Sequence, residues 1–471
     1  MKVLTTAALA MAIFGCGRVV SAQSLPPAPP PLLTLAEAVG QALTGNPRVL
    51  AARDAVDAAA LEVRVAHAAF EPQIEPNAFG WFGQSNLSNQ SLGLRVSQRL
   101  TTGTVISGSA EAVTQRNQLG TYAIADTTFM VSQPLLRGFG RAQVRKPLTS
   151  AEAQVEDLHR LRLLTEQEIA LEVAAAYYGI GAGESIVEVA RGSLQRSREL
   201  EAAAVAKLRA GVVSQLDVLR ARQLVTQAEM EVLAAESARE DARDRLRTLL
   251  GQGPDYQFSV QAAAAATAET IGEDAAIETA CRERLELRRA VEAIRESERT
   301  ARWAADQLRP TLDVNVALTR QGSGESLASS FDNGEFQPAA FVSFAWPLNR
   351  TAPNAESHKA LLDLERRRRD VETIRAGIVQ DVRSALRRQE HAARGVELAR
   401  ASEDLTRKEC DVARFRYQRG LSNNLDLVNA ETGLLAAEAR RIGAIAELAV
   451  ARLYLKAALG TLDPRKDVAQ Q

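Results

Sequence analysis

Residues 211–217 read Gly-Val-Val-Ser-Gln-Leu-Asp, and residues 420–426 read Gly-Leu-Ser-Asn-Asn-Leu-Asp. From Gly211 to Gly420 is 209 positions, and the same offset pairs Ala221 with Ala430, Ala228 with Ala437, Ala235 with Ala444 and Ala242 with Ala451. It also pairs Leu250-Gly251 with Leu459-Gly460. Upstream the offset grows to 238, matching Val49 with Leu287 and Pro72 with Pro310. Between these blocks Ser132-Gln133-Pro134-Leu135 corresponds to Ala345-Trp346-Pro347-Leu348. So many collinear matches describe a tandem duplication. The first copy carries an insert of about 29 residues, the difference between the two offsets.

Each copy reads helix, strands, very long helix, helix. In the first, a short helix from Thr34 to Leu43 breaks before Asn46-Pro47, and a second helix runs to Phe70. Strand-like segments fill residues 72–136. A helical pattern then resumes near Gly140 and continues to Leu208, until Ala210-Gly211 breaks it. Ser214 restarts a helix that ends at Gly251. About 69 helical residues at 1.5 Å each span roughly 100 Å, too long for a compact domain. The helices 47–70 and 214–250, stacked end to end, match that length, so each copy predicts an elongated hairpin. Alanine recurs every seven residues at 221, 228, 235 and 242, and at 430, 437, 444, 451 and 458. A sustained seven-residue period winds helices around each other, and plain helix propensity has no reason to choose one heptad position.

The strands carry a different period. In residues 311–319, Leu312, Val314, Val316 and Leu318 alternate with Asp313 and Asn315, followed by a Gly/Ser/Asn-rich loop from Gly322 to Gly334 and a return strand from Phe341 to Trp346. Such alternation suits the wall of a membrane barrel and equally a half-buried soluble sheet. The first copy adds Leu92–Leu100 and Thr104–Val113, joined at Thr102-Gly103: a further hairpin of the sheet, or an embellishment outside it.

Composition narrows the function. Of 471 residues, 57 are basic and 58 acidic, and the resulting net charge of −1 removes the electrostatic case for a nucleic-acid partner. Three cysteines make no disulfide scaffold; Cys281 and Cys410 are one conceivable pair. The four histidines form no HExxH pattern, so neither a metal nor any other cofactor is expected, and no nucleophile constellation points to an enzyme. Lys2, the apolar run Val3–Gly15 and Val20-Ser21-Ala22 read as a secretory signal peptide. Ile13-Phe14-Gly15-Cys16 is a competing lipobox in which Cys16 would be acylated. The expected organisation is a signal peptide at 1–22, a Pro-rich linker at 23–33, a first repeat at 34–251 with strands about 72–136, a linker at 252–274, a second repeat at 275–460 with strands about 311–347, and a tail at 461–471. No run of 18 apolar residues follows the signal peptide, so an exported chain of this kind is periplasmic, secreted or a β-barrel.

Together the duplication, Asn46-Pro47, Ala69-Phe70-Glu71-Pro72, Ser132-Gln133-Pro134-Leu135-Leu136 with its echo Trp346-Pro347-Leu348-Asn349, and the two Gly-x₄-Leu-Asp turns resemble the TolC-like outer-membrane efflux protein family, over about residues 33–460. The resemblance implies a mainly α protomer with a β-barrel portion, completed by homotrimerisation in outer-membrane lipid. Its helices would form a periplasmic tunnel that meets a periplasmic adaptor (membrane fusion) protein and an inner-membrane pump. It implies a periplasmic mouth near Asp217, Arg220, Asp426 and Asn429, where the family often has a second Asp in place of Asn429. The adaptor-contact tips would be Arg209, Gly211, Val212 and Ser214, with Arg419, Gly420, Leu421 and Ser422. A plainer role is open for the two aspartates: each follows Ser214 or Asn423 by three residues, the spacing of a capping box. The competing function is a periplasmic coiled-coil adaptor or scaffold without a channel. The solvated run Arg366–Arg369, and His67 and His391, read as helix surface.

Overall fold

The structure, a computed structural model, describes residues 31–82, 88–117, 120–260, 271–422 and 424–466. The signal-peptide reading, Cys16, most of the Pro-rich stretch and Asn423 lie outside them. In chain order the elements are β1 (Leu32–Leu33), α1 (Leu35–Gly45), α2 (Pro47–Ala68), β2 (Gln73–Phe82), β3 (Ser88–Arg99), β4 (Val105–Asn117), β5 (Gly120–Pro134), α3 (Arg141–Val144), α4 (Lys146–Arg209) and α5 (Gln215–Leu250). Then follow β6 (Ser259–Val260), α6 (Glu273–Glu283), α7 (Leu285–Asp306), β7 (Thr311–Gly324), α8 (Leu327–Asp332), β8 (Phe336–Ala345), α9 (Thr351–Gln418) and α10 (Asn424–Ala458).

The two copies are the same unit built twice. The 64 residues of α4 and the 68 of α9 run about 95–100 Å. Along α4 lie α2 and α5 end to end, and along α9 lie α7 and α10. The α1–α2 break is local chemistry: the Asn46 Oδ1 accepts from Arg48 N at 2.8 Å, Pro47 opens the helix, and the Asn46 Nδ2 donates to the Leu249 carbonyl at 2.8 Å. One polar side chain thus closes two helix ends. Pro147 in the first turn explains why the helix expected from Gly140 breaks at Arg145 into α3 and α4. The seam alanines 221, 228, 430, 437 and 451 are buried, so the heptad does face the partner helix. Across the copies α4 packs on α10 and α7.

The ends of the copies are more structured than plain linkers. Leu32–Leu33 pairs with Ser259–Val260, Tyr177 donates its hydroxyl to the Leu33 carbonyl at 2.9 Å, and Phe258 and Leu462 are buried. With Leu43, Val49, Ile169, Ile180, Leu246, Leu250 and Leu453 they form a core where α1, α2, α4, α5 and α10 meet. Cys281 and Cys410 are both free thiols in separate clusters, so the conceivable disulfide is absent.

All six long strands form one antiparallel sheet in the order β2-β3-β4-β5-β7-β8. The extra hairpin is therefore part of the sheet, and its span of residues 88–117 matches the insert inferred from the repeat offsets. The copies join at β5 and β7, where Phe129 faces Leu318 and Val131 faces Val316. Strands run longer than the alternation suggested: β7 reaches Gly324 and β8 starts at Phe336, while the expected loop contains the helix α8.

Register sorts the side chains across all six strands. One face carries Ile74, Leu92, Leu94, Val96, Ile106, Phe129, Val131, Val316, Leu318, Val342 and Phe344, all exposed. The other carries Glu75, Asn77, Arg95, Ser109, Glu111, Asp126, Thr128, Asp313, Asn315 and Ser343, together with the exposed aromatics Phe79, Trp81, Tyr122 and Phe341. On β7 the polar face holds the buried Asn315 and Ala317 while Val316 is exposed, the pattern of a sheet curved around its polar side. An apolar face this wide is foreign to a water-exposed sheet and fits a wall that faces lipid. No helix among the described residues is long and apolar enough to cross a membrane.

Candidate functional site: the hairpin tips

Both long hairpins reverse by the same device. At the first, Val212 N bonds the Lys207 carbonyl and Gly211 N the Leu208 carbonyl, each at 2.9 Å; at the second, Leu421 N bonds Arg416 at 2.9 Å and Gly420 N bonds Tyr417 at 3.2 Å. This is a Schellman closure, whose left-handed residue strongly favours glycine. Gly211 and Gly420 both have φ +72. Open space surrounds each, so backbone geometry rather than packing demands glycine. Val212 and Leu421 stand 65% and 66% exposed at the extreme tips, with Arg209 and Arg419 exposed beside them.

Ser214 and Asp217 form a complete capping box: Asp217 N bonds the Ser214 hydroxyl at 3.3 Å, and the Asp217 carboxylate accepts from Ser214 N at 3.0 Å. Arg220 lies 4.0 Å from the same carboxylate. In the second copy Asn423 lies outside the described residues, and the Ser422 hydroxyl donates to the Asp426 carboxylate. Asp426 and Asn429 are exposed, one turn apart on α10. Removing the box with Ser214→Ala should cost about 1 kcal/mol, read as faster hydrogen exchange confined to the first turn of α5.

Sequence reasoning missed the residues that sew the tips together. Asn424, fully buried, donates its amide to the Asp217 carbonyl at 2.8 Å, docking the start of α10 on the start of α5. Lys207 on α4 donates to the Tyr417 carbonyl at 2.7 Å and lies 3.8 Å above the Tyr417 ring. Burial pushes the Tyr417 phenol up, and the Asp217 carboxylate pushes it further. Higher up, the buried Glu431 of α10 accepts from Arg196 of α4 at 2.8 Å and from Arg414 of α9 at 2.6 Å. Burial raises the Glu431 carboxyl, but the two guanidinium bonds outweigh it and hold it below the ordinary range. Beside it burial pushes the Cys410 thiol up to about 12, so this cysteine is a packing residue. One sequence signal pointed here: Glu431 directly follows seam residue Ala430, a strange place for a carboxylate. Three charged groups thus join both copies around a shared apolar cluster of Leu200, Val218, Leu224, Tyr417, Leu427 and Leu434.

The family model described as outer membrane efflux protein matches residues 38–252 and 276–461. Protein CyaE of Bordetella pertussis is 25% identical over 461 residues, spanning 93% of this chain and 87% of its own length. The fusaric acid resistance protein FusA of Burkholderia cepacia is 29% identical over 119 residues, a match that spans 25% of this chain and only 22% of FusA. Among solved structures, the outer membrane protein VceC from Vibrio cholerae superposes with a TM-score of 0.71 at 16% identity, over 90% of this chain and 96% of that one. That likeness is one of fold.

Proposed function

The chain belongs to the outer membrane efflux protein family, a family of transport channels rather than enzymes, and we propose that it is the homotrimeric exit duct of a tripartite efflux or type I secretion machine. The observation that carries this is the sheet with an exposed apolar face and two borders, β2 and β8, unpaired among the described residues. Unpaired backbone in lipid costs several kcal/mol per group, so such a sheet must close with copies of itself. Three six-stranded sheets would close an eighteen-stranded barrel, wide enough for an aqueous channel.

The helices support the same assembly. On α9, Leu398, Leu405 and Val412 repeat every seven residues and are 72%, 67% and 58% exposed. On α5, Leu216, Leu219, Met230 and Leu233 are exposed at the same distance from the tips. These are coiled-coil seams without partners among the described residues, and α9 of one protomer against α5 of the next would bury both. The periplasmic tunnel then ends at the tips. The alternative of a channel-less periplasmic adaptor or scaffold gives the apolar sheet no role. Fractionation with heat-modifiable electrophoresis tests the choice: an outer-membrane trimer is expected, and a soluble monomer would end the duct reading.

At the mouth, the exposed Asp426 and Asn429, one turn apart on α10, are the groups placed to line it. Three copies of Asp426 would form one acidic ring, with Asn429 a polar but uncharged second ring. Asp426→Ala should lower cation preference and raise single-channel conductance; unchanged values for both would remove the assignment. The adaptor would dock on the tips formed by Arg209, Gly211, Val212, Ser214, Arg419, Gly420, Leu421 and Ser422. Val212→Asp with Leu421→Asp should abolish capture of the adaptor while the trimer and its conductance persist, and retained capture would place the docking surface elsewhere.

A further inference from the structure

The helix α8 and its flanks read from sequence as a Gly/Ser/Asn-rich loop, yet they lie flat against β4, β5 and β7. The seat is made of missing side chains. Gly322 pairs with Ala125, which pairs with Ala112, and Gly324 pairs with Ala123. All belong to the apolar rows of the sheet. The three alanines are buried, at 2% exposure or less. A Cβ on Gly322 would come within 2.0 Å of the Ser330 carbonyl oxygen, and one on Gly324 within 2.3 Å of the Ser329 hydroxyl. Backbone therefore rests on backbone, closer than any larger residue permits. Arg320, also on an apolar row, is satisfied by the same segment: its Nε donates to the Gly334 carbonyl at 3.1 Å and a terminal nitrogen to Asp332 at 3.0 Å.

On the solvent side of α8, Leu327 and Phe331 stand one turn apart, each 39% exposed, while Ser330 between them is wholly buried. We infer that residues 325–335 form a flap on the outside of the barrel that seats Leu327 and Phe331 in the outer leaflet of the membrane, so the occupant of this apolar surface is lipid. The surface continues the rows of Phe129, Val316 and Leu318, and it restores apolar bulk where the wall beneath is reduced to glycine and alanine. A sister subunit does not cover it. The flap sits over β4, β5 and β7, whereas sister sheets would join at β2 and β8.

The inference rests on the barrel reading, and one experiment separates the two. With Trp81, Trp303 and Trp346 replaced by Phe, a single tryptophan is placed by Phe331→Trp in the flap or by Phe344→Trp in the bare wall. Each trimer is reconstituted into phosphatidylcholine vesicles with or without bromine on the acyl chains. Bromolipid should quench both emissions by about twofold or more. Quenching of the wall position alone, with the flap position unchanged, would overturn the flap. Quenching of neither would overturn the barrel as well. Should Phe331→Trp fail to give a heat-modifiable trimer, Leu327→Trp carries the same comparison.

Discussion

Deleting residues 88–117 should leave an assembled trimer whose membrane pore has lost about a third of its diameter, because diameter grows roughly linearly with strand number. The deletion removes β3 and β4, an up-and-down pair, so β2 can pair directly with β5 in the antiparallel sense. Register permits this: Gln73 lies level with Ser97, Ser107 and Met130 across the sheet. The apolar rows also stay in phase, since Ile74, Val96, Gly108 and Phe129 share one face. Residues 83–87 and 118–119 remain as the connection. Diameter in a reconstituted particle, by cryo-electron microscopy, reads the outcome. An unchanged diameter would mean that the hairpin does not contribute to the wall.

Glu431→Ala should destabilise the hairpin ends by about 3 kcal/mol, the lower part of the range for breaking a buried ion pair, since Arg196 and Arg414 are partly exposed and can find water. Loss of Glu431 frees α10 from α4 and from α9 at once, so the mouth should leak: higher basal conductance and faster hydrogen exchange in α10 next to the tips. The pH dependence has a definite sign. Glu431 is held below its ordinary value of 4.5, so its contribution is fully present above that value and is lost as pH falls through the lower folded value. Acid below pH 4.5 should therefore loosen the wild-type mouth, and the Glu431→Ala protein should lack this particular response. Equal acid sensitivity in both would assign the lock to other groups.

What could be read from the chain alone follows the range of the chemistry. The turns at Gly211 and Gly420 depend on a few consecutive residues, so glycine, then Ser214 or Asn423, and an aspartate three positions on disclose them directly. The heptad alanines likewise disclose a seam, because burial repeats along one helix. The duplication carries this reading to the second copy, and with it the hairpin lengths. Where chemistry is long-range, sequence falls silent. Glu431 beside seam residue Ala430 marks an odd place for a carboxylate, but its partner is not legible, since only the approach of α4 supplies Arg196. Asn424 was overshadowed by its neighbour Asn423, the position matching Ser214, although Asn424 makes the contact to α5. The insert of about 29 residues was visible by counting, but membership of Leu92 to Val113 in the sheet depends on pairing with β2 and β5. The flap was hidden for a different reason: serine and glycine usually mark a loop, and here they mark a surface stripped for close contact.

The decisive measurement is a cryo-electron microscopy map of the protein in a lipid disc, resolved well enough to trace which strand lies beside β8. Three chains around one pore are expected, with β8 of each hydrogen-bonded to β2 of the next and α9 seated along the neighbour's α5. A single chain whose own β2 and β8 pair to close the sheet would contradict the account.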